Sequence, residues 1–217
     1  TAMTKKQRAG LMSVARAKAR ASAEPTQVSP TTRVIAIGSG KGGVGKSSIA
    51  VNVAVAMSQA GFRVGLLDAD IWGFSTPRML GVEDRLEANE DSKLIVPVEA
   101  KGVKLVSTGL IIETEETALM WRGLILTKAL EQFLTDVRWG DLDYLLLDMP
   151  PGTGDIQMGL ARLLPQAEML VVTTPALAAQ KVATRVADMA RRSHMKVVGV
   201  VENMSELVTP NGEHVAV

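Results

Sequence analysis

The chain has no cysteine among its 217 residues. That excludes disulfides, thiolate metal ligands and a cysteine nucleophile within this sequence. Aromatic residues are nearly as scarce. Three Phe, three Trp and one Tyr leave no platform on which single-stranded bases could stack. No apolar run approaches the roughly 18 residues that a membrane-crossing helix needs. The longest, at residues 145–147 and 169–172, are of strand length. No signal-peptide pattern opens the chain, so the cytoplasm is the expected compartment. An apolar share of 47% and a charged share of 22% exclude disordered and fibrous classes. A globule of this size buries about 70% of its unfolded surface, enough for one substantial core. One domain, or one with a small appendage, is expected. The chain opens on Thr1 rather than Met, which reads as a piece of a longer polypeptide.

Net charge is close to zero, yet it is unevenly spread. Residues 1–23 carry Lys5, Lys6, Arg8, Arg16, Lys18 and Arg20 with no acid, leaving 18 basic against 23 acidic residues elsewhere. The alanine-rich stretch 11–20 favours helix. It reads either as an arm for nucleic acid or an anionic surface, or as a solvated helix ending a missing upstream domain. The narrow apolar face, without large anchors, favours the second. Pro25 and Pro30 mark residues 24–32 as a linker. The expected organisation is a basic helical segment and linker over 1–31, followed by one domain over 32–217.

From Arg33 onward, strands and helices alternate. Residues 33–38 (RVIAIG) form a β-branched run suited to a buried parallel strand. Residues 47–60 have helical periodicity and stop at Gly61. Strands are then expected at 62–68, 94–98 and 103–107, the last two paired through Lys101 and Gly102. A helix at 119–137 precedes a strand at 143–147, and a helix at 156–164 precedes a strand at 168–173. A helix at 176–192, a strand at 196–202 and a polar terminal loop complete the pattern. Such alternation means an α/β fold, a mainly parallel sheet with helices on both faces. Ligands of these sheets bind beyond the carboxyl ends of the strands, and the chemically distinctive residues fall there.

The first strand runs into Gly40-Lys41-Gly42-Gly43-Val44-Gly45-Lys46-Ser47, a full match to G-x-x-x-x-G-K-[ST]. The glycines let successive N–H groups turn inward around a phosphate. The helix that follows adds the positive end of its dipole. Lys46 supplies charge to the β- and γ-phosphates, and the Ser47 hydroxyl can ligate Mg²⁺. Lys41 is a second lysine within the loop, where a charge beside a triphosphate would be a costly coincidence. Asp68 and Asp70 end the second strand, placed to hold a metal water or orient an attacking one. The strand 144–147 delivers Asp148, the usual anchor for the nucleotide's Mg²⁺. Asp148 leads into Pro150-Pro151-Gly152-Thr153-Gly154-Asp155, where Gly152 and Gly154 are candidate hinges of a γ-phosphate sensor. Asp155 is a switch residue or the cap of the next helix. Asn203, after the last strand, can donate and accept at once and so match the N6/N7 edge of adenine. Guanine readers follow such an Asn with an acid three residues on, where Glu206 fits less well than Asp would. The acids Glu113, Glu115 and Glu116 read as a solvated loop, and the eleven Met residues as core filler.

The loop from Lys41 to Ser47 resembles the deviant Walker A loop of the MinD/ParA/nitrogenase-iron-protein class of P-loop NTPases, which its extra lysine defines. Within that class, 68–75 (DADIWGFS), Trp121-Arg122-Gly123, 139–155 and Glu202-Asn203-Met204-Ser205 resemble the Mrp (ApbC-like) iron–sulfur cluster carriers. The likeness runs from about Thr32 to Gly212. It implies an ATP- and Mg²⁺-dependent homodimer that hydrolyses slowly and transfers a 4Fe-4S cluster to apoprotein clients. By the same resemblance Lys41 reaches the partner's phosphates, Ser48 completes the loop, Asp70 orients water, Asp68 and Asp148 are linked to Mg²⁺, and Asn203 contacts adenine.

The chain departs from that family at one point. Where the family carries Cys-Pro-x-Cys, this sequence reads Thr209-Pro210-Asn211-Gly212. Hard oxygen donors are poor ligands for such clusters. His194 and His214 are isolated and read as ordinary surface residues. Two other readings stay open: a ParA/MinD-like positioning ATPase that uses the basic segment, and a nucleotide-switched assembly factor for protein clients. Nucleic acid is not the expected partner.

Overall fold

A computed structural model describes residues 26–70, 75–83, 86–88, 94–110, 124–152 and 155–216. The basic segment with Lys5–Arg20, the stretch 71–74, the acids at 113–116, Trp121-Arg122-Gly123 and the Thr153-Gly154 pair lie outside the described residues.

The elements in chain order are β1 (Arg33–Ser39), α1 (Lys46–Gln59), β2 (Val64–Asp68), α2 (Thr76–Leu80), β3 (Glu87–Ala88), β4 (Ile95–Val96), β5 (Val98–Ala100) and β6 (Val103–Ser107). There follow α3 (Leu124–Thr135), β7 (Tyr144–Asp148), α4 (Asp155–Leu163), β8 (Glu168–Thr173), α5 (Leu177–Arg192), β9 (Lys196–Glu202), β10 (Glu206–Val208) and β11 (His214–Ala216). Seven strands form one sheet in the order β5-β6-β2-β7-β1-β8-β9. All its pairings are parallel except β5 with β6. The expected α/β architecture is therefore the observed one.

The apolar runs are buried because the sheet is covered on both faces. On one face α3, α4 and α5 pack Leu130, Leu134, Leu160, Val186 and Ala190 against Leu145, Leu147 and Met169. On the other, α1 and α2 pack Ala50, Ala54 and Leu80 against Leu66, Leu105 and Leu146. Leu145, Leu146 and Leu147 of β7 are wholly buried, with strands on either side as well. Trp139 is also wholly buried and donates its indole N–H to the Phe133 carbonyl at 2.9 Å, satisfying its one polar atom. A side chain at Gly65 would meet Leu142, Leu145 and Trp139 at 2.8–3.1 Å, so this strand glycine makes room for the indole.

Several elements differ from expectation, α2 and β3 among them, since neither is expected between the strands at 62–68 and 94–98. The strand expected at 94–98 divides: Ile95 and Val96 pair with β3, and the sheet strand is Val98–Ala100, joined to β6 through Lys101 and Gly102. Ile95 is drawn off by backbone bonds to Asp136 and Arg138. The terminal polar loop holds a hairpin, β10 with β11. The Pro-marked linker docks from Gln27 onward. Gln27 N–H donates to Leu134 at 2.8 Å, and Val28 is buried in the core.

Candidate nucleotide site

The parallel register lines up the functional ends of the strands. Asp68 lies opposite Asp148 across β2 and β7, and Asp148 lies opposite Ile37 across β7 and β1. β1 ends at Ser39, and the phosphate loop carries the chain to α1. Gly45 caps α1 with φ +82°, a left-handed angle that a side chain disfavours. Gly40 is needed for a different reason. A Cβ there would lie 2.4 Å from the Val182 side chain and 2.7 Å from its backbone carbon, so α5 closes directly on the loop.

A pocket of about 250 Å³ opens in front of the loop. Ser39, Gly42, Gly43, Gly45, Lys46, Ser47 and Ser48 form one wall, and Asp70, Ser75, Met79 and Pro151 the others. The first-turn N–H groups of α1 have no partner within the helix, the arrangement that suits a helix N-terminus to an anion. Lys41 is exposed at the tip of the loop. Its carbonyl accepts from the Ser39 hydroxyl at 3.0 Å.

Lys46 is 7% exposed and Asp148 is fully buried, and they form an ion pair at 2.5 Å. The second oxygen of Asp148, Oδ2, is buried with no partner. Burial pushes the Asp148 carboxyl up, and the Lys46 ammonium opposes that shift. An unpartnered anionic oxygen beside a serine hydroxyl fits a hard divalent cation such as Mg²⁺.

Asp68 is placed differently. Its Oδ2 accepts from the Thr76 hydroxyl at 2.8 Å and from the Thr76 and Ser75 N–H groups at 3.3 Å. Its Oδ1 accepts from Asp70 N–H at 3.1 Å. Both oxygens therefore hold the chain that carries Asp70 and Ser75 to the pocket. Burial first, and Asp148 second, push its carboxyl up to about 6. Asp70 itself is half-buried on the pocket wall.

Asn203 approaches the loop from the end of β9 without lining the pocket. Its Nδ2 donates to the Val44 carbonyl at 2.9 Å, and its backbone N–H donates to Thr173 at 2.8 Å. The segment after Asp148 is tied to β1 by Met149 N–H to Ile37 and Gly152 N–H to Ser39, both 3.0 Å. Asp155 opens α4.

The positions of the missing cysteines lie at the turn of the β10–β11 hairpin. The Thr209 hydroxyl accepts from Glu213 N–H at 3.0 Å, and Gly212 N–H donates to the Thr209 carbonyl at 2.8 Å. His214 pairs with Glu206 at 2.9 Å. Among the described residues, no group of three or more His, Asp or Glu could hold a metal ion. Nor is any helix among them long and apolar enough to cross a membrane. Sequence reasoning missed Ser75, Thr76 and Met79. Ser75-Thr76-Pro77 carried a usable signal, because hydroxyl residues before a first-turn proline mark a helix start.

With this geometry in place, the comparisons decide the family. Residues 30–217 match the model of ParA, the NUBPL iron-transfer P-loop NTPases. The chain belongs to that family. An iron–sulfur cluster carrier protein of Mycobacterium tuberculosis is 52% identical over 181 residues, 83% of this chain and 47% of the relative. That of Mycobacterium leprae is 49% identical over 216 residues, 99% of this chain and 56% of the relative. The chain thus spans about half the length of the curated relatives it matches. A nucleotide-binding protein of Archaeoglobus fulgidus, solved with ADP, superposes with a TM-score of 0.72 at 34% identity, over 85% of this chain and 72% of that one. The septum site-determining protein MinD of Pyrococcus horikoshii shares the fold, with a TM-score of 0.62 at 22% identity over 80% and 70% of the two chains. The resemblance read from the phosphate loop is the family found.

Proposed function

We propose that this chain binds Mg-ATP in front of the phosphate loop and hydrolyses it slowly as a homodimer. In that role it is the nucleotide-driven part of a carrier that hands iron–sulfur clusters to apoprotein clients. The observation that carries the nucleotide reading is the buried Lys46–Asp148 pair, with Asp148 Oδ2 left unpartnered behind a pocket that Lys46 and Ser47 line. The carrier reading is supported by relatives named as cluster carriers. The cluster itself is cargo, and its thiolate ligands lie outside these residues.

Each residue then has a task. Lys46 leaves Asp148 for the phosphate oxygens as the pocket fills, because several anionic oxygens attract it more strongly than one carboxylate. Ser47 and Asp148 Oδ2 would hold Mg²⁺, which offsets the phosphates' negative charge when bound. The backbone N–H groups of residues 42–48, Ser48 included, grip the phosphates. Asp70 orients the attacking water from the opposite wall. Asp68 keeps Asp70 in place and contributes negative charge rather than a metal ligand. Lys41, exposed at the tip, reaches the phosphates bound by a second copy. Asn203 selects adenine with its remaining N–H and its Oδ1.

Lys46→Ala should abolish nucleotide binding, while Asp70→Ala should retain binding and lose turnover. Fluorescent-nucleotide titration and phosphate release separate the two. Normal hydrolysis by both variants would sink the proposal.

A further inference from the structure

Val44 precedes Gly45, the N-cap of α1, so its carbonyl lies outside the helix ladder and needs another donor. Here the first backbone bond of α1 runs from Ile49 N–H to the Gly45 carbonyl at 3.0 Å. For Val44 that donor is Asn203 Nδ2 at 2.9 Å, from a residue 159 positions away in sequence. The contact is built on both sides. Asn203 is itself fixed by its backbone N–H on Thr173. On the loop side, a Cβ at Gly45 would come within 2.3 Å of the same Nδ2, so only glycine lets the amide approach.

The peptide between Val44 and Gly45 is planar and trans, so its C=O and N–H point in opposite directions. Asn203 draws the carbonyl toward itself, and it does not line the pocket. The Gly45 N–H is thereby turned away from Asn203, on a residue that does line the pocket. A fixed N–H is a better anion donor than one free to rotate, because no reorganisation is needed when the anion arrives.

We propose that Asn203 is a positioning residue for phosphate. By holding the Val44 carbonyl it fixes the amide plane that presents the Gly45 N–H to the bound anion, independently of any contact with the base. This rests on the nucleotide reading above and adds a duty that has nothing to do with adenine. A base contact and a loop contact make opposite predictions for a ligand that has phosphates and no base.

The probe is therefore Mg-tripolyphosphate, titrated by calorimetry beside Mg-ATP and Mg-GTP, into the wild-type chain and into Asn203→Ala and Asn203→Asp. Thermal melts confirm that both variants are folded. Asn203→Ala should bind tripolyphosphate about fivefold to tenfold more weakly, the scale of one lost neutral hydrogen bond. Asn203→Asp should be weaker still, although Asp is the closer match in shape, because its carboxylate faces the Val44 carbonyl and cannot donate. A role in packing alone predicts the reverse order, and that order would overturn the proposal. So would unchanged tripolyphosphate affinity in both variants with only ATP binding lost, which would leave Asn203 a base contact. A wild-type chain that binds neither ATP nor tripolyphosphate would overturn the nucleotide reading and this one with it. Should the Asp variant fail to fold, Asn203→Ala alone decides between loop and base.

Discussion

Asp68→Asn tests the claim that this carboxylate is held at a cost in order to shape the loop carrying Asp70. The wild-type group is buried opposite Asp148, with its pKa pushed up to about 6. In the unfolded chain it titrates near the ordinary carboxylate value of 3.8. A folded pKa above the unfolded one means that the native state binds the proton more tightly. The stabilisation is then fully present below 3.8 and is lost as pH rises through about 6. At pH 5, about one unit below the folded value, the protonated group favours the native state by about 1.4 kcal/mol relative to pH 7.5.

The amide removes that dependence and introduces another loss. Four donors converge on the two oxygens of Asp68. An NH₂ group in place of Oδ1 would face the Asp70 N–H, leaving a buried donor without its acceptor, at a cost of about 1–3 kcal/mol. Relief of the buried charge offsets this at pH 7.5, so the two proteins should then be of similar stability. At pH 5 the wild type should lead by about 1.4 kcal/mol more than it does at pH 7.5. Urea denaturation at pH 7.5, 6.5, 5.5 and 5.0 gives the difference between the proteins at each pH, which cancels the titrating groups that do not interact with Asp68. A difference that stays flat across the range would refute the burial argument.

The other substitutions act on separate features. Gly45→Ala forces a side chain into the left-handed region and against Asn203, costing about 1–2 kcal/mol in backbone strain alone. It should weaken nucleotide binding at least tenfold in a fluorescence titration. Trp139→Ala empties the space under β2 and frees the Phe133 carbonyl. A loss of about 3–5 kcal/mol in urea denaturation is expected. Lys41→Ala should leave nucleotide affinity of the single chain nearly unchanged and reduce dimer formation with a non-hydrolysable ATP analogue, read by light scattering.

The sheet was legible because its central strands are uninterrupted apolar runs, each ending in a polar residue at the same edge. Asp68 and Asp148 could be placed at that edge from their position after such runs alone. The phosphate loop was legible from its spacing. What each acid does was not. Asp148 with its free Oδ2, and Asp68 with both oxygens engaged, look alike in sequence as the last residue of a leucine-rich strand. Their difference comes from Thr76, which folds back eight residues to meet Asp68, and from Lys46, which crosses 102 residues to meet Asp148. The bond from Asn203 to Val44 likewise joins residues 159 apart in sequence, from the end of β9 past β8 to the loop after β1. The β10–β11 hairpin escaped because its strands are three residues each, too short for alternation to register.

The hairpin also separates the two halves of the proposed carrier. Its turn is closed by Thr209, whose hydroxyl and carbonyl both accept from the turn's own backbone. Those oxygens are hard donors already in use, and soft iron–sulfur clusters take thiolates. With no cysteine anywhere in the chain, nucleotide binding and cluster binding should come apart in one experiment. Anaerobic reconstitution with iron and sulfide, followed by gel filtration, should leave no iron above background on these 217 residues, while the same sample binds Mg-ATP. Stoichiometric iron with charge-transfer absorbance would refute the assignment of the cluster ligands to residues outside the chain. Iron-free protein that also fails to bind Mg-ATP would refute the motor instead, and with it the role given to the Lys46–Asp148 pair.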